Sequence, residues 1–252
     1  MKSLAVLCAL AFSASAFALT DAELDSVGQR VWQNECGGSR DGLTSWNAGE
    51  DFASLGIGHF IWYPRGMDGP FEESFPKLMK FFEANGRAVP EWLRGDCPWR
   101  TRAEFQAEFR SARMNELRDL LAGTIRLQSR FLAQRMREAL PKMLAEAPAP
   151  EREKVRRNFE ELAASGRGIF ALIDYVNFKG EGIKDTERYK GEGWGLLQVL
   201  AGMDRGEDLS PWQRFSESAA HVLTRRVKNS PPERNEARWL PGWKNRVRAY
   251  AE

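Results

Sequence analysis

The sequence predicts a mainly α protein of the α+β class, in which a small lobe carries a β-hairpin and a larger lobe is helical. Three observations predict this fold. Apolar residues recur at helical spacing over most of the chain after Thr101. Residues 43–63 are instead rich in β-branched, aromatic and glycine residues around a turn-forming segment. N-capping patterns, as at Thr20 and Thr101, begin several of the helical stretches.

The N-terminal residues have the pattern of a secretory signal peptide. A short basic start is followed by an apolar run over residues 4–12 and by small residues that end in an A-x-A pattern at Ala18. We therefore expect cleavage after Ala16 or Ala18, a mature domain over residues 19–252, and a periplasmic or secreted location. An uncleaved anchor is the alternative. No other stretch approaches the ~18 apolar residues of a membrane-spanning helix.

The charge balance gives no reason to expect a nucleic-acid partner. The chain has 37 Lys and Arg against 35 Asp and Glu, a formal net charge of +2. Its basic runs, at residues 154–157 and 225–228, have the pattern of solvated helix faces. A weaker interpretation of these runs is attraction to an anionic cell-wall polymer.

The first predicted helix of the mature chain ends beside a glutamate. Thr20 and Glu23 have the spacing of a capping box, and apolar residues follow at helical spacing. The glycine pair at residues 37–38 ends this helix. We therefore expect Glu35 to project from the end of a rigid element.

A β-hairpin is predicted directly after this helix. Residues 43–46 favour a strand, residues 47–51 are turn-forming, and residues 52–63 resume with β-branched and aromatic side chains. Within the second arm, Gly56 and Gly58 flank one isoleucine. Glycines at such positions predict a close approach of the backbone to a helix or to a ligand.

The remaining elements complete a hairpin lobe over about residues 19–100 and a helical lobe over about residues 101–252. Helices are expected over residues 75–85, 101–121, 125–140, 151–165, 168–178 and 194–203, from Ser210, and near the C-terminus. Pro141 is expected to kink or end its helix. The tetrad Lys-Gly-Glu-Gly occurs twice, at residues 179–182 and 190–193. Two interpretations are open: paired turns that line a cleft, or flexible exits from helices.

Two cysteines remain in the predicted mature chain, Cys36 and Cys97. Two cysteines in an oxidising compartment predict one disulfide bond, which would tie the loop after Glu35 to a distant segment. The alternative is a pair of buried thiols that never combine.

The order of helix, glutamate and hairpin, followed by Ser54-Leu55-Gly56-Ile57-Gly58-His59, resembles the phage-type lysozymes. In that family a helix ends in the acid glutamate, and the hairpin carries a Thr-x-Gly-x-Gly-His run. Residues 171–180 are similar to the buried helix and Asn-x-Gly exit of the same family. Residues 195–198, Gly-Leu-Leu-Gln, look like the Gly-Leu-Met-Gln run of lytic transglycosylases.

The resemblance implies a lysozyme-like fold whose two lobes enclose a cleft, and cleavage of the β-1,4 bond between amino sugars of peptidoglycan without a cofactor. Glu35 matches the general acid of that family, and Ser54 stands where the family has threonine. The hairpin aspartate of the family has no direct counterpart, since Ala48 occupies its ungapped position. Glu50 and Asp51 are the nearest carboxylates and hence the candidates for the second catalytic group.

Four further residues are candidates for contact with substrate. They are Trp46, His59, Asn177 and Gln198. We also expect His59 to pack or hydrogen-bond so that it fixes the hairpin. The chain has only 2 histidines, on distant predicted elements, so the sequence predicts no zinc site of ordinary type.

Three other functions compete with hydrolysis. If neither Glu50 nor Asp51 faces Glu35, a transglycosylase-like route or loss of activity follows. The second alternative is a catalytically silent periplasmic protein that binds glycan or a protein partner. Action on another polymer such as chitosan is the third alternative, which an acid-lined cleft with Glu181 and Glu192 would support. An open groove with a second carboxylate within roughly 5–9 Å of Glu35 favours the enzyme.

Overall fold

The computed structural model describes residues 19–203 and 208–252. The predicted signal peptide lies outside the described residues. Within the described ranges the chain forms ten α-helices, one three-stranded antiparallel sheet and one two-stranded antiparallel sheet. The protein is therefore mainly helical, and this part of the predicted fold class is confirmed.

The elements follow one another in a simple order. The helices are α1 (Asp21–Cys36), α2 (Phe75–Ala84), α3 (Arg102–Ala107), α4 (Ala112–Ala122), α5 (Ile125–Glu146), α6 (Arg152–Ala163), α7 (Gly166–Lys179), α8 (Leu196–Ala201), α9 (Pro211–Asn229) and α10 (Leu240–Arg248). The strands are β1 (Thr44–Ser45), β2 (Ala53–Leu55), β3 (Phe60–Trp62), β4 (Arg188–Tyr189) and β5 (Glu192–Gly193).

Helix α1 begins and ends at the residues that the sequence indicates. The Thr20 hydroxyl accepts from the Glu23 amide at 3.2 Å, and the Glu23 carboxylate accepts from the Thr20 amide at 2.9 Å. Both halves of the capping box are thus formed. Gly37 has a φ of +61° and donates its amide to the Trp32 carbonyl, which ends the helix. Because α1 packs against α5 and α7, the direction in which Glu35 projects is fixed.

Two predicted boundaries differ from the observed ones. The helix expected over residues 101–121 is divided into α3 and α4, because the Ser111 hydroxyl accepts from the Met114 amide at 3.1 Å and starts a new helix. Helix α5 continues through Pro141 as far as Glu146, so this proline does not end it.

The region predicted as one hairpin forms a three-stranded sheet in the order β1, β2, β3. Ser54 pairs with Ser45 on one side and with Ile61 on the other. The expectation of one continuous second arm over residues 52–63 is wrong, because the chain reverses at residues 56–59, here called the glycine turn. Gly56 and His59 have φ values of +71° and +46°, a left-handed conformation that belongs to turns rather than strands.

The glycine turn is held by one side chain of α5. Gln128 is fully buried; its Oε1 accepts from the Ile57 amide at 2.9 Å, and its Nε2 donates to the Leu121 carbonyl at 2.7 Å. A Cβ atom at Gly56 would lie 2.4 Å from Gln128 Oε1. The close backbone approach that the sequence predicts is therefore an approach to a helix side chain.

The apolar core continues through both halves of the chain. In the N-terminal half, Trp62 packs on Phe75 and Trp99 packs on Phe105. In the C-terminal half, α7 is buried from Gly168 to Tyr175 and packs against α1, α6 and α9. The nearly continuous apolar sequence of α7 predicts this central position, and the structure confirms it.

The predicted disulfide is wrong, because Cys36 and Cys97 are both free and buried. The Cys36 thiol faces the glycine turn, where the Gly56 carbonyl lies 3.6 Å from Sγ. The Cys97 thiol contacts the Trp99 carbonyl at 3.4 Å. Burial raises the pKa of each thiol to about 12, so both remain protonated and unreactive in the folded protein.

We predict that Gln128→Leu destabilises the protein by about 2 kcal/mol, because it leaves the buried Ile57 amide without a partner and removes one of the bonds to the Leu121 carbonyl. Chemical denaturation measures the change. Gln134→Leu is the matched control, since Gln134 lies on the same helix and bonds only to the exposed Glu138. Equal stability of the two variants would contradict the anchoring role of Gln128.

We also predict that the two cysteines of residues 19–252 are free thiols that are protected by folding. An aromatic disulfide reagent should titrate none of them in the native protein and both after denaturation without reductant. Detection of no thiol in the denatured protein would show that the two cysteines are bonded, against this arrangement.

Candidate functional site

Two cavities meet beside the glycine turn. The first, here called the hairpin pocket, has a volume of about 580 Å³ and lies between residues 47–54 and the loop of residues 67–71. The second, the helix pocket, has a volume of about 640 Å³ and is lined by Glu35, by the end of α7 and by the loop that follows α7. Both pockets are lined by His59, Ile61 and Phe71, so together they form one groove.

Glu35 lies in the last turn of α1 and lines the helix pocket, with its side chain 17% exposed. Its Oε1 accepts a hydrogen bond from Arg246 Nη2 at 2.6 Å. Its Oε2 lies 3.7 Å from His59 Nδ1 on the glycine turn. The glutamate is thus fixed from both sides, by the last helix of the chain and by the sheet region.

Arg246 is itself held by a buried carboxylate. Asp174, on α7, is 1% exposed and accepts from Arg246 Nε at 2.9 Å and from Nη2 at 2.8 Å. The Tyr250 hydroxyl and the Asn34 amide donate to the same carboxylate, at 2.5 and 3.1 Å. Burial opposes the charge of Arg246, but its contacts with Asp174 and Glu35 outweigh burial and raise the pKa of the guanidinium.

The groove contains most of the residues that the sequence singles out. Asn177 lines the helix pocket together with Glu35, while Ser54, Glu50 and Asp51 line the hairpin pocket. Ser54 is 3% exposed, and its carbonyl accepts from Ser45 Oγ at 3.2 Å. The Glu50 carboxylate accepts from the Asn47 amide at 3.1 Å.

Two of the expected substrate contacts lie outside the groove. Trp46 is 4% exposed, its ring packs edge-on against Phe105, and its Nε1 donates to the Glu50 carbonyl at 2.7 Å. The assignment of Trp46 as a substrate ligand is therefore corrected: its ring belongs to the core, and its N–H closes the β1–β2 turn.

Gln198 has a structural function in the loop after α7. Its side chain accepts from the Gly195 amide and donates to the Gly182 carbonyl, both at 3.0 Å. It lines a different cavity, together with Glu192, so the idea that Glu181 and Glu192 share one acidic cleft is also incorrect. The reason is that residues 188–193 form the separate β4–β5 hairpin, which turns at Lys190 and Gly191.

One residue that orients the groove, Arg246, could not be found by sequence reasoning. Arg246 is 211 positions from Glu35, and nothing in the sequence connects them. Asp174 gave a signal, because a lone acid in an apolar helix requires a buried partner. Glu181 lines the helix pocket, and burial raises the pKa of its carboxyl group.

Lys179, the last residue of α7, also lines the helix pocket. Its Nζ lies 3.4 Å from the ring centre of Trp243 and 3.9 Å from that of Phe178. Burial, followed by repulsion from Arg226, lowers the pKa of this ammonium group to about 7.

Residues 19–203 and 208–252 contain neither a metal-binding cluster nor a membrane-spanning helix. Across these ranges, no cluster of three or more His, Cys, Asp or Glu side chains is arranged to hold a metal ion. Over the same part of the chain, no helix has both the length and the apolar character needed to cross a membrane.

Comparisons with known proteins leave the site to be judged on its own geometry. No family model matches the chain, and neither a curated protein nor a solved structure matches it. What the groove offers chemically is a fixed, partly buried carboxylate, a neighbouring imidazole and a buried serine hydroxyl beside two further acids.

We predict that Arg246→Met destabilises the protein by about 3 kcal/mol, because Asp174 would be left buried without a countercharge. Arg248→Met, on the same helix but exposed, should change the unfolding free energy by less than about 0.5 kcal/mol. Adding Asp174→Leu to Arg246→Met should recover part of the loss in chemical denaturation. The pairing would be refuted if the double variant lost as much unfolding free energy as Arg246→Met and Asp174→Leu lose together when each is measured alone.

Proposed function

We propose that this protein is a lysozyme-like glycosidase that cleaves the β-1,4 bond between amino sugars of peptidoglycan. The observation that carries the proposal is the position of Glu35. A carboxyl group at the end of a rigid helix lines an open groove and faces the Gly-Ile-Gly-His turn of a small sheet. Cleavage of a glycosidic bond requires such a carboxyl group beside the leaving oxygen.

In the proposed reaction Glu35 protonates the leaving oxygen as general acid. Arg246 holds Oε1, so the carboxyl group has one fixed orientation, with Oε2 on the side of His59. This fixation keeps the reacting atom in place without reorganisation during the reaction. His59 lies 3.7 Å from Glu35 Oε2 and also lines the hairpin pocket, so it stands between the proposed acid and that pocket.

The second catalytic group is proposed on the hairpin side, where Glu50 and Asp51 line the pocket with Ser54. A carboxylate there either stabilises the developing oxocarbenium charge or activates a water molecule with the help of the serine hydroxyl. Glu181, in the helix pocket, is the other carboxylate that competes for this role.

The test is digestion of purified peptidoglycan by the mature protein, with the products identified by mass. Glu35→Gln should reduce product formation at least about 100-fold, the usual effect of losing a general acid. Glu217→Gln, an exposed carboxylate on α9, should retain full activity. Glu217→Gln should match the unaltered protein within about 0.5 kcal/mol in unfolding curves. Glu35→Gln, which weakens the ion pair with Arg246, should still be fully folded under the assay conditions, so that its loss of activity reflects chemistry.

Products with reducing ends would identify a hydrolase, and anhydro ends would identify a transglycosylase. Under our proposal, Glu50→Gln or Asp51→Asn also lowers the rate, whereas Glu181→Gln does not. A loss confined to Glu181→Gln would move the second group to the helix pocket. If the unaltered protein yields no products but still binds glycan, the proposal of glycosidase activity is overturned and a silent binding protein is favoured.

A further inference from the structure

The charged side chains of the helix pocket are unevenly paired. Arg135 forms an ion pair with Glu72 at 3.0 Å, and Arg226 forms one with Glu236 at 2.8 Å. The carboxylate of Glu187 accepts from the amide of Gly182 at 2.7 Å. These groups are therefore already engaged within the protein.

Besides Lys142, which acts on the charge of Glu181, two further lysines that line the same pocket form no such ion pair. Throughout the described ranges, no carboxylate oxygen lies within 4.0 Å of Nζ of Lys179 or Lys184. Glu181 faces the pocket as well, but Lys142 acts on its charge. Lys179 and Lys184 thus stand against Glu187, whose carboxylate bonds only to backbone amides within the described ranges, so the charge that the pocket leaves without an ion pair is on balance positive.

Lys179 is the more informative of the two lysines because it is not a freely solvated side chain. Its ammonium group lies between the rings of Phe178 and Trp243, in van der Waals and cation–π contact with both. Its charged neighbours are Arg226 and Arg246, which repel it, and Glu236, which is engaged by Arg226.

A partly buried ammonium group without a counterion is unfavourable in the free protein, and its pKa is accordingly lowered to about 7. An anion bound beside it would favour the protonated form and remove that penalty. The aromatic contacts on Lys179 limit its motion, so a bound anion would meet a preorganised donor. Lys184 lies on the same pocket wall and offers a second donor to the same region.

We infer that Lys179, assisted by Lys184, binds a carboxylate group carried by the glycan substrate and so selects acid-substituted strands over neutral ones. The inference rests on the proposed function, since it names the substrate feature that the same groove recognises. In peptidoglycan two sources provide this chemistry, the lactyl carboxylate of the sugar and the carboxylates of an attached peptide.

Binding is measured by calorimetry on the mature protein that carries Glu35→Gln, so that the ligands are not cleaved. Three tetrasaccharides are compared: one of N-acetylglucosamine only, one with lactyl carboxylates only, and one with attached peptides. Lys179→Met is added to this protein, with Lys80→Met, an exposed lysine of α2, as the matched control. Lys179→Arg tests whether positive charge alone restores binding.

Lys179→Met should weaken binding of an acid-bearing tetrasaccharide about 10-fold or more, the usual effect of losing a charge-assisted hydrogen bond. Binding of the neutral tetrasaccharide should change less than about twofold, and Lys179→Arg should recover most of the affinity. The lactyl-only ligand identifies the source: a loss already present there assigns the sugar carboxylate, and a loss seen only with peptides assigns the peptide.

Equal weakening of neutral and acidic ligands, or no weakening of either, would overturn the inference while leaving the glycosidase proposal intact. Failure of all three ligands to bind the protein with Lys179 present would instead count against the proposed function itself. Misfolding of a variant is recognised independently of binding, because its chemical unfolding curve would then differ from that of the Lys80→Met control.

Discussion

The structure depends above all on the ion pair between Asp174 and Arg246. A carboxylate that is 1% exposed at the centre of the C-terminal half is stable only with a countercharge and full hydrogen bonding. Arg246, Tyr250 and Asn34 together satisfy it. Because these donors come from α10, from the residues after it and from α1, one buried charge joins both ends of the chain to α7. The same guanidinium then reaches Glu35, so stability and the orientation of the candidate acid have a common origin.

The opposite side of Glu35 is fixed through a second chain of contacts. Gln128 on α5 holds the amide of Ile57, which sets the glycine turn and the unusual backbone conformation of His59. His59 in turn lies 3.7 Å from the Glu35 carboxylate. Helix α5 packs on α1 as well, so the turn and the glutamate are positioned against the same helix. Preorganisation of this kind requires little movement when a ligand enters the groove.

The sequence predicts well what depends on neighbours in the chain. The capping box at Thr20, the stop at Gly37 and the buried apolar helix α7 are local patterns, and the structure contains all of them. The prediction of one continuous strand arm over residues 52–63 fails, because the aromatic residues on both sides favour strands. The positive φ values of Gly56 and His59 instead reverse the chain between them. The cysteine pair and the partner of Glu35 depend on contacts across the fold, for which sequence spacing gives no signal.

The distribution of charge along the groove bears on how a long polymer would lie in it. Among the residues that the structure describes, the hairpin pocket is lined by Glu50, Asp51 and Asp68 and by no lysine or arginine, whereas the helix pocket carries Lys179 and Lys184, which form no ion pair. Under the proposed function, a glycan strand with acidic substituents would be repelled at the hairpin pocket and attracted at the helix pocket, most strongly at low ionic strength. Glu35 lies on the helix-pocket side of the junction. Under the proposed function, this charge asymmetry would favour the register of the strand in which an acid-bearing sugar lies beyond Glu35 towards α7.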